Sequence, residues 1–97
     1  MSDTVKYEDY LHERLRDPEF AVLYLNASLD SDDDGDFLFA LREFSRANGG
    51  VRPLAGKAGL NREHLFRMLS KKGNPGLHSL RQILDALGFR LELKRVV

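Results

Sequence analysis

Four side chains that follow a glycine-containing turn have the chemistry needed to read base pairs. They are Arg62, Glu63, Phe66 and Arg67. An arginine can donate two hydrogen bonds to guanine, and a glutamate can accept one from the amino group of cytosine. Arg67 is suited either to a base or to a phosphate, and Phe66 either to a thymine methyl group or to the core. This combination predicts a base-reading surface.

Five more polar side chains near this segment are of the types that contact phosphate. They are Arg52, Asn61, Ser70, Lys71 and Lys72. Cationic side chains and helix N-termini hold the DNA backbone, which fixes the register of a protein on the duplex without reading its sequence. Any one of these lysines, taken alone, is more often a solvated side chain. The set as a whole predicts phosphate contacts on both sides of the base-reading residues.

Two short helices are predicted to position these side chains. The first covers residues 51–58, with Pro53 in its first turn, and Gly59 ends it with a positive φ. Asn61 is a favourable N-cap for the second helix, over residues 62–69. The pair fits a helix-turn-helix. The side chains expected to face inward are Leu54, Ala55, Ala58, Leu65, Met68 and Leu69.

Helical spacing also predicts the elements on either side. A short first helix precedes Pro18, where a second helix begins with Asp17 as its cap. A third covers about residues 36–48, and another covers residues 77–87, with Gly88 as its C-cap. The second helix is expected to bury one stripe, which consists of Phe20, Leu23, Tyr24, Ala27 and Leu29.

At the C-terminal end, Phe89, Leu91 and Leu93 alternate with Arg90, Glu92 and Lys94, which is typical of a half-buried strand and predicts one over residues 89–97. A single strand in a helical chain has no internal partner, so it must lie on the body, fray, or pair with a second copy. The last possibility makes Phe89, Leu91 and Leu93 candidate dimerisation residues. A homodimer is therefore expected.

Charge divides the chain into two halves. Residues 1–50 have 12 acidic and 5 basic side chains, a net charge of −7, whereas residues 51–97 have 10 basic and 3 acidic ones, a net charge of +7. A chain polarised in this way can turn its cationic end towards phosphates. Chance clustering of charges on solvated faces is the alternative.

The 97 residues are enough for one domain. Within it we predict acidic N-terminal helices over 1–50, the helix-turn-helix and the following helix over 51–88, and the strand over 89–97. The chain has no cysteine, no long apolar run and a polar beginning. We therefore expect a cytoplasmic protein that neither enters a membrane nor is exported.

Catalysis is not expected. His12, His64 and His78 lack the spacing of metal ligands, no cysteine can act as a nucleophile, and the glycines form no phosphate-binding loop. We predict neither a cofactor nor a metal. A helical protein-binding module is the more serious alternative, because a fold of this kind does not determine its function.

The second half of the chain resembles the lambda-repressor-like (Xre-type) helix-turn-helix proteins. The resemblance rests on residues 54–69, on Gly73-Asn-Pro75 and on residues 80–88. It implies an all-α fold, namely a five-helix lambda-repressor-like DNA-binding bundle, to which the alternation adds a C-terminal β-strand. It also implies double-stranded operator DNA as a partner.

Nearly the whole chain resembles the addiction-module antidote family. Tyr7-Glu-Asp-Tyr-Leu11, Asp17-Pro-Glu19 and Tyr24-Leu-Asn-Ala27 add to the resemblance at the N-terminal end. It implies a bacterial type II antitoxin, nucleoid-associated when bound to DNA, that represses its own operon as a dimer and neutralises a RelE-like or ParE-like toxin. A phage-type transcriptional repressor without a toxin partner is the alternative.

Overall fold

The computed structural model describes residues 3–97, with side chains from residue 6 onward. These residues form six α-helices, at the six segments that helical spacing predicts, whereas the lambda-repressor-like resemblance implied a bundle of five. Asp17-Pro18 and Gly59 each divide a helical stretch in two, as predicted. The helices are α1 (Asp3–Arg14), α2 (Pro18–Leu29), α3 (Asp34–Ala47), α4 (Val51–Ala58), α5 (Arg62–Met68) and α6 (Leu77–Ala86).

Helix α3 lies at the centre, where it contacts α1, α2 and α4. It begins at Asp34, two residues earlier than predicted, because the Asp33 carboxylate accepts a hydrogen bond of 2.8 Å from the Gly35 amide and caps it there. Leu41 on this helix is fully buried and Phe44 nearly so. One apolar core surrounds it, with members from all six helices.

A polar contact also joins α1 to α3. His12 Nε2 lies 2.8 Å from Oε1 of Glu43, and Arg46 Nη1 lies 3.4 Å from the other oxygen of the same carboxylate. The Glu43 side chain is only 3% exposed. A buried carboxylate is stable only when it has partners, so His12 both satisfies Glu43 and fixes α1 on the core.

The predicted buried stripe of α2 is correct for Phe20 and Tyr24, which pack against the core, and wrong for Leu23, Ala27 and Leu29. Ala21 and Leu25 are the buried residues, Phe20 and Tyr24 are half-buried, and Leu23 is 69% exposed. Ala27 and Leu29 are exposed as well. Residues 20–25 are all apolar or aromatic, so periodicity alone could not choose the inward face, and packing against α3 decides it.

The predicted C-terminal β-strand is also wrong. Residues 89–97 form neither helix nor strand, and no strand occurs in the described residues 3–97. Phe89 is half-buried, and its ring meets that of Phe44 edge-on at 5.1 Å. A strand requires a second strand to pair with, and six helices supply none, so alternation alone could not produce one.

None of the helices in residues 3–97 has both the length and the apolar character required to cross a membrane.

Candidate nucleic-acid interface

The turn between α4 and α5 has the geometry that the sequence predicts. Gly59 has φ +68°, which is left-handed backbone that suits glycine. The Leu60 amide donates to the carbonyl oxygen of Ala55 at 3.0 Å, which closes the end of α4. The Asn61 side chain then accepts a hydrogen bond of 3.1 Å from the His64 amide and starts α5. Three residues thus redirect the chain between two helices.

Helix α5 is held from behind by apolar side chains. Leu65 is fully buried, Met68 is 4% exposed and Leu69 is 1% exposed, as predicted. On α4, the three residues expected to face inward are buried too; they are Leu54, Ala55 and Ala58. Since α4 also packs on α6, the first two turns of α5 are fixed to the rest of the core.

All four predicted base-reading side chains lie on the opposite, solvent-facing side of α5. Arg62, Glu63 and Arg67 are exposed, and none of them forms an ion pair within the described part of the chain. Phe66 is 44% exposed, so it is not a core residue. Donors, an acceptor and an aromatic ring are therefore available together on one short helix.

The five predicted phosphate-contacting residues are in different situations. Arg52 and Lys72 are exposed, and neither takes part in an ion pair among residues 6–97. Asn61 uses its carbonyl oxygen as the helix cap and keeps its amide group as a donor. Ser70 donates its hydroxyl hydrogen to the carbonyl oxygen of Arg67 at 2.8 Å, which leaves only acceptor capacity.

Lys71 is the one whose surroundings the sequence did not reveal. Its Nζ lies 3.8 Å from Oδ1 of Asp36 and 5.5 Å from the centre of the Phe39 ring. Gly35 packs so closely on this loop that a Cβ there would overlap the carbonyl oxygen of Lys71. The first turn of α3 therefore touches the loop that follows α5. The sequence feature that could have indicated this close contact is the glycine at position 35, within a run of aspartates.

The three candidate dimerisation residues differ in exposure. Phe89 is half-buried against its own chain, where its amide also donates to the carbonyl oxygen of Leu84 at 2.8 Å. Leu91 is 40% exposed and Leu93 is fully exposed. Only the last two are thus available to a second molecule.

A single titrating group in residues 6–97 departs clearly from its ordinary behaviour. Burial raises the pKa of Tyr24 above its usual 10.0, and the nearby Tyr7 and Glu43 raise it further. This group lies on α2 and not on α5. Among the described residues, no three His, Asp or Glu side chains are grouped so that they could hold a metal ion.

Comparison with known proteins points to one family. An uncharacterized protein of Haemophilus influenzae (strain ATCC 51907 / DSM 11121 / KW20 / Rd) is 32% identical over 83 residues, which cover 86% of this chain and 84% of that protein. No solved structure gives a significant match. The family model of the probable addiction module antidote protein matches residues 5–95. The chain belongs to this antidote family, which supports an antitoxin role and implies a toxin as its partner.

Proposed function

We propose that this antitoxin binds its own operator DNA through α5 and represses its operon. The observation that carries this proposal is the exposure of Arg62, Glu63 and Arg67 on a helix whose back is buried in the core. A helix that enters the major groove needs an apolar anchor behind and hydrogen-bonding side chains in front.

The order and the turn of α4 and α5 support a helix of the lambda-repressor-like, Xre type. In that arrangement α4 crosses the DNA backbone and α5 lies in the major groove. Arg62 and Glu63 belong to the first turn of α5, which is the end that reaches the bases. Arg52 and Lys72 contact phosphates on either side, and Asn61 donates its side-chain amide to a third.

Lys71 contributes less to this proposed interface than the sequence suggested, because Asp36 competes with phosphate for its ammonium group. Both groups are substantially exposed, so the ion pair is weak and salt screens it. A phosphate that reaches Lys71 has to displace Asp36.

We propose further that the protein acts as a homodimer. Leu91 and Leu93 are exposed on a C-terminal segment that makes no backbone hydrogen bond over residues 90–97 within the described chain. Leu91 also lines an open groove together with Val22 and Leu29 of α2. A dimer contact there brings two copies of α5 onto one operator. Sedimentation of a Leu91→Ser/Leu93→Ser variant tests it, since an unchanged dimer excludes these residues.

The toxin that this antitoxin neutralises is proposed to be RelE-like or ParE-like and to bind the acidic half of the chain. The net charge of −7 over residues 1–50 suits a cationic partner. Two alternatives differ from this proposal in one partner each. A phage-type repressor would bind DNA but no toxin, and a helical protein-binding module would bind a protein but no DNA. The chain can be co-expressed with the toxin encoded by the neighbouring gene. Rescue of growth would exclude the phage-type repressor without a toxin partner.

A gel-shift titration tests the DNA proposal. The probe is the duplex upstream of the gene for this chain, and an unrelated duplex of equal length is the control. We expect retardation of the upstream duplex at low salt and a steep loss of affinity as salt rises, because bound phosphates release counterions. Absence of retardation at low salt would overturn the proposal and leave the protein-binding alternative.

A further inference from the structure

An aromatic surface covers the outer side of α1 and α2, at a distance from the proposed DNA helix. Tyr7 is 61% exposed and Tyr10 57% exposed on α1, whereas Phe20 and Tyr24 are half-buried on α2. The rings of Phe20 and Tyr24 stack with their centres 6.0 Å apart. We call these four rings, together with Arg14, the aromatic patch.

Arg14 connects the two helices within the aromatic patch. Its guanidinium carbon lies 4.3 Å from the centre of the Phe20 ring and 5.7 Å from that of Tyr10. Its Nη1 also donates a hydrogen bond of 2.7 Å to the Tyr10 hydroxyl. These contacts hold the rings in place before any partner arrives, so binding would order few additional side chains.

Packing against the core accounts for Phe20 and Tyr24 but not for the two tyrosines of α1. Tyr7 and Tyr10 leave more than half of their surface in water, and the neighbouring Leu23 leaves 69%. Tyrosine and arginine are the residue types that most often dominate the binding energy at protein interfaces. An exposed apolar surface of this kind marks a site of interaction.

Carboxylates occur along the same two helices and the turn between them. Residues 3–29 have six acidic and three basic side chains. The exposed acids in this region are Asp9, Glu13, Asp17 and Glu19, none of which forms an ion pair within residues 6–97. An apolar centre with unpaired carboxylates near it is complementary to an apolar surface surrounded by lysine or arginine.

We infer that the aromatic patch is the docking site of the toxin, and that the toxin meets it with an apolar surface flanked by cationic side chains. The inference rests on the proposed binding of a cationic toxin by the acidic half, and it adds the residues that supply the affinity. Nucleic acid is excluded as an occupant because the nearby carboxylates repel phosphate.

The C-terminal groove is a poorer site for a cationic partner. This is the groove lined by Leu91, Val22 and Leu29, and its charged side chains are the basic Arg90, Lys94 and Arg95 and the acidic Asp30 and Glu92. A cationic protein is repelled there and attracted at the aromatic patch. The two surfaces therefore suit different partners.

A titration of the wild-type chain and a Tyr7→Ala/Tyr10→Ala variant tests the inference. The probe is the purified product of the gene adjacent to the gene for this chain. Alanine is favourable in a helix and both tyrosines are exposed, so the variant should fold. We expect its affinity to fall by at least about 30-fold, as for the loss of a dominant interface residue. The matched control is Leu77→Ala, which removes an exposed apolar side chain of α6 outside the proposed interfaces and should retain wild-type affinity.

The charge requirement has its own variant, Asp9→Lys/Glu13→Lys. We expect slower association and a weaker dependence on salt, with a smaller change in dissociation. Equal affinity of the wild type and the tyrosine variant would overturn the inference while the antitoxin proposal stands. An equal loss of affinity in the Leu77→Ala control would also overturn it, because the tyrosines would then contribute no more than an exposed apolar side chain elsewhere. No binding by the wild-type chain would overturn both.

Discussion

Helices α1 and α2 are joined by three residues, and so are α4 and α5. In each turn the last residue caps the second helix with its side chain, Asp17 in one case and Asn61 in the other. The exposed surfaces nevertheless differ, since one pair presents tyrosines and carboxylates and the other presents arginines. The two pairs thus share a connection of the same length and a side-chain cap, and they differ in the side chains that face solvent, where we propose that each pair meets a different partner.

The two pairs are also attached to α3 in different ways. A buried polar contact between His12 and Glu43 joins α1 to α3. The loop after α5 is attached by the tight approach of Gly35 to Lys71. One contact depends on a side-chain hydrogen bond and the other on the absence of a side chain, so they can be broken separately.

The largest expected difference between the two helix pairs comes from truncating one leucine in each pair. Leu65→Ala on α5 should lower the free energy of unfolding by about 2–5 kcal/mol, because Leu65 is fully buried and its removal leaves a cavity. Leu23→Ala on α2 should cost about 0.5 kcal/mol or less, because Leu23 is mostly in water. Urea denaturation measures both. Equal losses would contradict the assignment of inward faces.

Helices α5 and α2 also show what the sequence could and could not predict. Helix α5 has few apolar residues, so only one face can be inward, and Leu65 and Met68 were predicted correctly. Helix α2 is apolar at almost every position from 20 to 25, so its pattern fits several faces. The inward face then depends on α3, which local sequence does not describe.

The same reasoning explains the remaining differences. The end of α4 and the start of α5 depend on Gly59 and Asn61 themselves, so the turn was predictable. A strand over residues 89–97 depends on a partner strand, and its alternation says nothing about whether one exists. The ion pair between Lys71 and Asp36 joins distant parts of the chain, and spacing along the sequence could not reveal it.

The next largest effect is expected at the contact between Gly35 and the loop that follows α5. Gly35→Ala should cost about 1–3 kcal/mol, because its methyl group would overlap the Lys71 carbonyl oxygen and force the backbone apart. Gly56→Ala is the matched control, since Gly56 lies within α4 and a Cβ there has nothing within 4 Å. It should stabilise by about 0.5–1 kcal/mol. A tolerated Gly35→Ala, in thermal or chemical unfolding, would refute the tight contact.

The attachment of α1 should respond to His12→Ala. We expect a loss of about 1–3 kcal/mol, because the buried Glu43 would retain Arg46 as its only partner among the described residues. His78→Ala is the control at an exposed histidine without a hydrogen bond to residues 6–97, and its effect should be within about 0.5 kcal/mol. If the two histidine variants unfold at the same urea concentration, the contact with Glu43 does not stabilise the fold.

The smallest expected effect concerns alkaline pH and only the α1–α2 pair. The pKa of Tyr24 is raised in the folded chain, so the folded form keeps its phenol proton when the unfolded form has lost it. Stability is therefore unaffected by this group below pH 10.0 and falls as the pH rises above that value. Tyr24→Phe should remove this part of the pH dependence. If the free energies of unfolding of the wild type and the variant change by the same amount from pH 9 to 11, the raised pKa does not affect stability.

Helix α5 is proposed to read bases while the residues beside it hold phosphates. Fluorescence anisotropy with the upstream duplex and a scrambled duplex, at several salt concentrations, tests it most directly on Arg62→Ala and Lys72→Ala. Arg62→Ala should cost about 1–3 kcal/mol on the upstream duplex and reduce the preference over the scrambled one. Lys72→Ala should weaken both duplexes alike and reduce the salt slope by about 1. An Arg62→Ala variant that keeps the wild-type preference would contradict the claim.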